Sequence, residues 1–300
     1  MELLASILAI TARAGTSLIF ATLGEILTER AGILNLGIEG IMLMGAVTSF
    51  AASFYTQNLA VALAVAVLVG AAMAALHAFL TVTMRANQVV SGLSITLFGT
   101  GFASFLGQRL GPAANNFRLV GLKGARFTPI SIPVLSEIPI LGALFRQDLL
   151  SYGVYLLIPL IWFFLYKTRP GLWLRSIGED PQTADAMGID VIKSKYFYTI
   201  LGGALIALGG AHLSLSYTPG WSENITGGRG WIVVALVIFS MWNPLRSIWG
   251  ALLFGGINAV QFRLQASGTH IPANFLNMLP YLGTIARSEE RRVGKECRSR

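Results

Sequence analysis

The feature that most constrains this chain is a series of long intervals that contain no charged residue. Residues 40–84 hold no Asp, Glu, Lys or Arg, and the same is true of residues 86–108, 149–166 and 196–222. A helix needs about 20 mostly apolar residues to cross a bilayer, and helices satisfy their own backbone hydrogen bonds there. We therefore expect an integral membrane protein built from helices.

Composition agrees with this expectation and narrows the possible functions. Hydrophobic residues make up 54% of the 300 residues, charged residues make up only 12%, and the mean hydropathy is +0.65. We expect the net charge of +8 to lie in loops, as in other membrane proteins, rather than to bind nucleic acid. Cys297 is the only cysteine, so the rest of the chain can form neither a disulfide nor a thiolate metal site.

Polar turns and a proline divide the apolar intervals into helices. The polar residues 55–58 split the longest interval into two spans, and residues 3–24 supply another span ahead of it. Within residues 230–262, the Asn-Pro pair that ends at Pro244 favours a break into two short segments. A last segment begins near Ala273. The predicted fold class is all-α, a polytopic integral membrane protein of about eight or nine transmembrane or partly spanning helices.

The loops decide the orientation in the membrane only in part. Residues 109–148 and 167–195 each carry five Lys and Arg residues and are separated by one span, so the positive-inside rule does not choose between them. With residues 167–195 in the cytoplasm, Arg30, Arg85 and Arg246 lie there too. We prefer this arrangement, which places the N-terminus outside.

A short capped helix is predicted inside the 167–195 loop. Asp180 suits the N-cap, Pro181 the first helical position and Gly188 the position just past the C-terminus, which specifies a helix of two turns. Two turns are not stable alone in water, so this helix must dock on something. It packs either on loops of its own chain or on another protein.

Several long motifs resemble those of one family of membrane proteins. Residues 168–190 are similar to the cytoplasmic loop of permeases of bacterial ABC importers in the ribose, branched-chain amino acid and nucleoside group, and the similarity continues through residues 202–210. Residues 29–46 resemble the signature of the subgroup for simple sugars and nucleosides, which residues 227–231 also fit. The resemblance covers roughly residues 10–286, with the motifs in the same order.

This resemblance implies a permease subunit that moves nucleosides or related simple sugars across the bacterial cytoplasmic (inner) membrane as a multi-pass protein. In that family two permeases form the pore, two ATP-binding subunits bind below it, and an extracytoplasmic binding lipoprotein delivers the substrate. The subgroup implies a heterodimer with a second related permease. The sequence has no glycine-rich phosphate-binding loop ending in Gly-Lys-Ser or Gly-Lys-Thr. We therefore expect no enzyme activity and no cofactor in this chain, and ATP-Mg would be used by the partner subunit.

The residues of the capped helix are the candidates for coupling to the ATP-binding subunit. Small Ala184 and Ala186 would permit close approach, and Asp185 offers a charged contact. We expected this helix to be exposed in the permease alone. The candidate coupling residues are Gly178, Asp180, Pro181, Ala184, Asp185 and Gly188.

Polar residues inside the apolar spans are the candidates for the substrate pathway, because such groups tend to face a cavity or a partner. Asn35 and Glu39 are spaced i, i+4, which would place both on one helical face, where they could bind hydroxyl groups of a ribose or the edge of a base. The alternative is that they join helices through Arg13 or Arg30.

A second polar group opens the fourth predicted span. Asn87, Gln88 and Ser91 could line an inner gate, or they could simply form a solvated helix end. The histidines His77 and His212 lack the spacing of metal ligands, so no metal site is predicted.

An ion-coupled secondary transporter of small polar solutes is the alternative function. Such a transporter would need ionisable groups inside the membrane, and only Glu39 and Arg13 qualify. We assign residues 1–286 to the permease domain, with the coupling loop at about 167–196. Residues 287–300 form a charged tail after an apolar stretch that stops abruptly, and we interpret this tail as foreign sequence, with a native basic tail as the alternative.

Overall fold

The computed structural model describes residues 2–266, except 134, 135, 137, 139 and 140, together with residue 278. Within this described part the chain forms ten α-helices and one pair of two-residue strands. In chain order the helices are α1 (Glu2–Arg30), α2 (Ile38–Thr56), α3 (Leu59–Ala78), α4 (Gln88–Arg109), α5 (Leu149–Lys167), α6 (Arg169–Glu179), α7 (Pro181–Ala186), α8 (Val191–His212), α9 (Arg229–Ser240) and α10 (Pro244–Ala266).

Six of the helices in the described part are long and apolar enough to cross a membrane, namely α1, α2, α3, α4, α5 and α8. Two of them end in π-helical stretches, Phe79–Thr83 after α3 and Leu213–Tyr217 after α8. The predicted all-α, polytopic membrane class is confirmed. The turn at residues 55–58 is also where it was predicted, because the side chain of Asn58 caps α3 by accepting from the amides of Ala60 and Val61.

The predicted break near Pro244 is present, but the two halves are unequal. Helix α9 has 12 residues, about 18 Å, whereas α10 has 23 residues and is longer than the short segment we expected. Pro244 begins α10 instead of interrupting a helix, since the first helical turn needs no amide donor. The segment predicted from Ala273 and the tail at residues 287–300 lie outside the described residues.

Helix α8 packs against α1, α2 and α3 at the centre of the bundle. The helices approach closely where small residues face each other, as expected for packing in membranes. A Cβ atom on Gly203 would clash with the Cβ of Ala74 and lie 2.7 Å from the carbonyl oxygen of Gly70. Gly203 of α8 therefore determines how close α3 can lie.

The long loop between α4 and α5 has little regular structure. It contains short 3₁₀ turns and an antiparallel pair of strands, β1 (Ile130–Ser131) and β2 (Arg146–Gln147). Its Phe127 amide donates to the carbonyl of Leu215 at 3.0 Å, which attaches the loop to the end of the α8 span.

The loop at residues 167–195 contains two helices, so the prediction of a single helix there was incomplete. Helix α6 begins at Thr168, whose hydroxyl accepts from the amide of Gly171. Pro170 lies in the first turn of α6, where proline is tolerated. Helix α6 carries α7 at its C-terminal end.

Candidate functional site

Helix α7 has the predicted caps. One carboxylate oxygen of Asp180 accepts from the amides of Gln182 and Thr183, at 3.0 and 3.3 Å, and the other accepts from the Thr183 hydroxyl at 2.5 Å. These bonds, the one from the Thr183 side chain first, hold the pKa of the Asp180 carboxyl below its ordinary value. Gly188 has φ +81°, the left-handed geometry that ends a helix.

The side of α7 that faces outward differs from the expectation. Ala184 is buried, with only 2% of its surface exposed, so its methyl group packs within the chain and the expectation that it is exposed was wrong. A two-turn helix has one inward face, and Ala184 lies on it. Asp185, Ala186 and Met187 are exposed, and Met187 has 78% of its surface accessible. Any partner of α7 would meet these three residues first.

A groove of about 450 Å³ lies between α6 and α7. Its lining comprises Leu172, Arg175, Ser176, Glu179, Asp180, Thr183, Ala184, Met187 and Ile189. Leu172 of this lining and its neighbour Trp173 are about half exposed. We call the groove together with the outer face of α7 the α6–α7 surface. Its apolar side chains include Met187, and Arg175 lies among them. Met and Arg are enriched at protein interfaces, and carboxylates suit the polar rim of such a surface.

The α6–α7 surface is attached to the end of α1. A Cβ atom on Gly178 would clash with the carbonyl oxygen of Arg30, so the end of α6 lies directly on the α1 backbone. Gly178 thus acts in packing within the chain. A role of Gly178 in coupling remains a prediction. Gly178 would act there by fixing the position of α6.

Side chains at the end of α1 also join three other parts of the chain. The Arg30 guanidinium donates to the Tyr166 hydroxyl at 3.4 Å and to the Trp242 carbonyl at 3.5 Å. The indole N–H of Trp242 donates to Glu29, and the Arg175 guanidinium lies 5.1 Å from the centroid of the Tyr166 ring. We call these five residues the α1-end cluster. It connects α1, α5, α6 and the α9–α10 turn.

Glu39 binds the N-terminus of α9. Its carboxylate accepts from the Thr226 hydroxyl at 2.5 Å and from the amides of Gly228 and Gly230 at 3.0 and 2.6 Å. These partners differ from the arginines considered above. The side chain is buried, and all three bonds fix the beginning of one helix.

This contact lies near the middle of the membrane-spanning length. Arg229 is the first residue of α9 and is buried. Its guanidinium donates to the Ala14 carbonyl at 3.2 Å and to the Ser17 hydroxyl at 3.1 Å. Ala14 and Ser17 lie near the midpoint of the span Ser6–Arg30. The N-terminus of α9 is therefore a helix end inside the bilayer, of the kind that lines binding sites in transporters.

Asn35 lies in a turn and not on a helix. Residues 31–37 are non-helical and α2 begins at Ile38, so the prediction that Asn35 and Glu39 share one helical face was wrong. The Asn35 side chain accepts from the Gly37 amide at 2.9 Å, a local turn that competes with helix formation. The backbone amide of Asn35 donates to the carboxylate of buried Glu25 at 3.1 Å.

The other pathway candidates surround the same turn. The Gln88 side chain accepts from the Leu34 amide at 2.8 Å, and His77 lies between the Leu34 carbonyl and the Ser91 hydroxyl, at 3.2 and 3.0 Å. Asn87 is exposed and caps α4. The structure thus brings Asn35, Gln88 and Ser91 together around residues 31–37 and leaves Asn87 apart from them.

A buried polar cluster at the start of α5 was not found from the sequence. Asp148 caps α5 by accepting from the Ser151 amide at 3.0 Å, and its carboxylate also accepts from the Ser216 hydroxyl at 2.7 Å and lies 3.4 Å from the His212 ring. Burial raises the pKa of Asp148, but hydrogen bonding to His212 and Ser216 and the charge of His212 outweigh burial and hold that pKa well below its ordinary value.

The opposite end of the bundle from α7 carries a basic pocket. Its volume is about 290 Å³, and Lys123, Arg126, Phe50, Ser214 and Gly220 contribute to its lining. Across the described residues, no group of three or more His, Cys, Asp or Glu side chains is arranged to hold a metal ion.

Comparison with known proteins identifies relatives along most of the chain. Residues 6–285 match the family model described as branched-chain amino acid transport system / permease component. TsgC13 of Haloferax volcanii, provisionally named a glucose ABC transporter permease protein, is 39% identical, with 95% of this chain and 91% of that protein covered. The nucleoside ABC transporter permease protein NupC of Lactococcus lactis is 34% identical, with 90% and 87% covered.

One solved structure resembles the fold. It shows an inward-facing conformation of a transporter provisionally assigned to the metal-chelate type of ABC transporters. The TM-score is 0.51 at 18% sequence identity, and the match covers 96% of this chain and 86% of that chain. At this identity the likeness concerns the arrangement of helices alone.

Proposed function

We propose a function from the premise that the chain belongs to the family of branched-chain amino acid transport system permease components, whose model matches residues 6–285. The protein is the membrane-spanning permease subunit of an ATP-driven ABC importer, and it moves nucleosides or related simple sugars. The named substrates of its relatives, a nucleoside and glucose, support this substrate class. Both are uncharged solutes rich in hydroxyl groups.

The exposed α6–α7 surface is the observation that carries the proposal. Six helices that can cross a membrane and a folded two-helix loop form a subunit with an exposed, partly apolar surface on that loop, and the sequence lacks a phosphate-binding loop. Energy must therefore come from a separate ATP-binding subunit, which docks on this face. Asp180, Pro181 and Gly188 shape α7, while Asp185 and Met187 contact the partner.

The remaining partners follow from the same proposal. A second, related permease completes the pore, and the exposed aromatic face of α4, where Phe98, Phe102 and Phe105 are stacked, is available to it or to lipid. An extracytoplasmic binding lipoprotein delivers the substrate at the end that carries the basic pocket of Lys123 and Arg126. The complex lies in the cytoplasmic membrane.

Uptake measurements test the transport function. Cells that express the complete importer should accumulate labelled guanosine, uridine or glucose, and accumulation should stop when ATP is depleted but persist when the proton gradient is collapsed. Cells that lack this chain are the control. Uptake that follows the proton gradient and ignores ATP would favour the ion-coupled alternative and contradict the proposal.

Charge changes on α7 test the docking function. Asp185→Lys and Met187→Glu should lower the amount of ATP-binding subunit that co-purifies with the permease, because each places an unfavourable charge at the contact. Glu223→Lys, a matched charge reversal in the loop before α9 at the far end of the bundle, should leave co-purification unchanged. Full recovery of the ATP-binding subunit with both α7 variants would show that it docks elsewhere.

A further inference from the structure

We propose that Glu39 is a positioning residue that holds the membrane-centre end of α9, so that α9 acts as a rigid rod between the membrane centre and the α1-end cluster. The transport part of this inference rests on the proposed function. Its structural part does not, because it concerns how one helix is held at both ends.

The first step is the binding of Glu39 to the end of α9. The first amides of a helix have no partner within the helix, and they carry a partial positive charge. Glu39 accepts from two of the amides at this end, those of Gly228 and Gly230. Gly227 and Gly228 both have positive φ, so the chain changes direction just where the carboxylate binds. Glu39 thus caps a helix that begins 190 residues later in the sequence.

The second step is the attachment of the other end of α9. Met241 and Trp242 both have positive φ, 53° and 54°. This conformation is unfavourable for residues other than glycine. The structure maintains it by holding Trp242 from two sides, since its indole donates to Glu29 and its carbonyl accepts from Arg30. Glu29 and Arg30 belong to the α1-end cluster.

The third step connects that cluster to the α6–α7 surface. Arg30 donates to Tyr166, and Arg175 of α6 lies over the Tyr166 ring. A displacement of α6 by a docked partner therefore acts on the side chains that hold the C-terminal turn of α9. Because α9 is a short continuous helix of 12 residues between two left-handed breaks, it moves as one body and shifts the amides bound by Glu39.

Hydrogen–deuterium exchange on the assembled complex tests the rod. Glu39→Gln replaces one carboxylate oxygen, an acceptor, with an NH2 group, which can only donate. This change should speed amide exchange at residues 228–232 by roughly tenfold, the effect of losing about one charged hydrogen bond. Trp242→Phe removes the indole donor while keeping an aromatic ring, and should also speed exchange at residues 228–232, at the far end of α9. Glu223→Gln and Trp249→Phe are the matched controls and should leave this segment unchanged.

The far-end effect decides between a rod and a local contact. Changes about 18 Å apart that share no partner ordinarily act independently, so unchanged exchange at residues 228–232 in Trp242→Phe would overturn the proposal. If Glu39→Gln reduces assembly of the complex, Thr226→Val takes the place of that variant in the experiment. This change removes a single donor to the same carboxylate. Unchanged exchange at residues 228–232 in that variant would equally contradict the capping role.

The transport readout uses the number of nucleoside molecules moved per ATP hydrolysed. Both Glu39→Gln and Trp242→Phe should lower this ratio at normal amounts of complex, and the double variant should lower it no further than the worse single variant. Additive losses would contradict a common rod. If the wild-type importer moves no nucleoside, the proposed substrate fails, while the exchange experiment still decides the role of Glu39.

Discussion

At the scale of single residues, Asp148 is a buried side chain with several polar partners. It receives hydrogen bonds from Ser151 of its own helix and from Ser216 at the end of the α8 span, and it lies beside His212. The Asp148 carboxylate and the His212 ring are almost completely buried. Asp148 thus fastens the start of α5 to α8 at the end of the bundle opposite α7.

Replacing Asp148 by Asn should destabilise the protein by about 3 kcal/mol, the lower end of the range for removing one partner of a buried charged pair. Asn has a single acceptor oxygen and cannot replace both carboxylate oxygens, of which one accepts from the Ser151 amide and the other accepts from Ser216 and lies beside His212. Thermal unfolding in detergent measures the change. Asp190→Asn is the control, because Asp190 also caps a helix and pairs with Lys193 but is exposed. Equal melting shifts in the two variants would contradict this account.

The cap of α7 should weaken in acid. The pKa of Asp180 is lowered from 3.8 by hydrogen bonds from Thr183 and Gln182, so the cap is fully effective above pH 3.8 and is lost as the pH falls through the lowered value. Amide exchange in residues 182–186, corrected for the intrinsic rate, should therefore accelerate below pH 3.8. Asp180→Asn keeps a capping side chain that does not titrate, and its exchange should show no such transition.

Residues that act through local geometry were predictable, and those that act through distant contacts were not. Asp180, Pro181 and Gly188 determine α7 within nine residues, and their positions were predicted correctly. The partners of Glu39 are near residue 228, and no sequence pattern around position 39 indicates them. The carboxylate of Asp148 before a charge-free interval could have suggested a helix cap, but nothing in the sequence joins it to His212.

At the scale of elements, glycine packing between α3 and α8 determines the centre of the bundle. Gly70 and Gly203 face each other so closely that a Cβ on Gly70 would lie 2.5 Å from the carbonyl oxygen of Gly203. Such contacts replace the hydrophobic effect as the source of helix association in a bilayer.

Gly203→Ala should destabilise the bundle by about 1 to 3 kcal/mol, the usual cost of overpacking, because the added methyl group meets Ala74 and the Gly70 backbone. Gly101→Ala in α4 is the matched control, since no atom lies within 4 Å of the added Cβ. Melting temperatures of the two variants in detergent measure the difference. A Gly203→Ala variant as stable as Gly101→Ala would show that the helices separate readily.

The long spans were predictable because length and lack of charge are sufficient to identify a membrane helix. The short elements were not, since they depend on where one residue falls within a turn. Helix α6 was not predicted, although Pro170 occupies a favoured position in its first turn. Asn35 was placed on a helix because its spacing to Glu39 fits one, whereas its side chain forms a local turn with Gly37.

At the scale of the whole molecule, the two ends of the bundle are chemically different. One end presents the partly apolar, partly acidic α6–α7 surface, and the other presents a basic pocket formed by the long loop. The order of the sequence motifs predicted the family correctly. The pore itself could not be derived, because it depends on a second chain.

Cysteine labelling tests the orientation that places α7 in the cytoplasm. In a Cys297→Ser background, Lys123→Cys should react with a membrane-impermeant maleimide in intact cells, whereas Lys193→Cys should react only after permeabilisation. Both positions are exposed, so access to the reagent and not burial determines the result. The cysteine-free background is the control, and the reverse pattern would place the N-terminus in the cytoplasm.

The cap on α9 has a consequence for how the protein is made. A chain is synthesised from its N-terminus, so Glu39 enters the bilayer before the ribosome has reached residues 226–230. Until then the carboxylate lacks the hydroxyl and amides that bind it, and an unpaired carboxylate in hydrocarbon is costly. Helix α9 is too short to insert alone. We expect the early helices to keep Glu39 in contact with water until α9 arrives, so that one of the last helices to be synthesised completes the first part of the bundle.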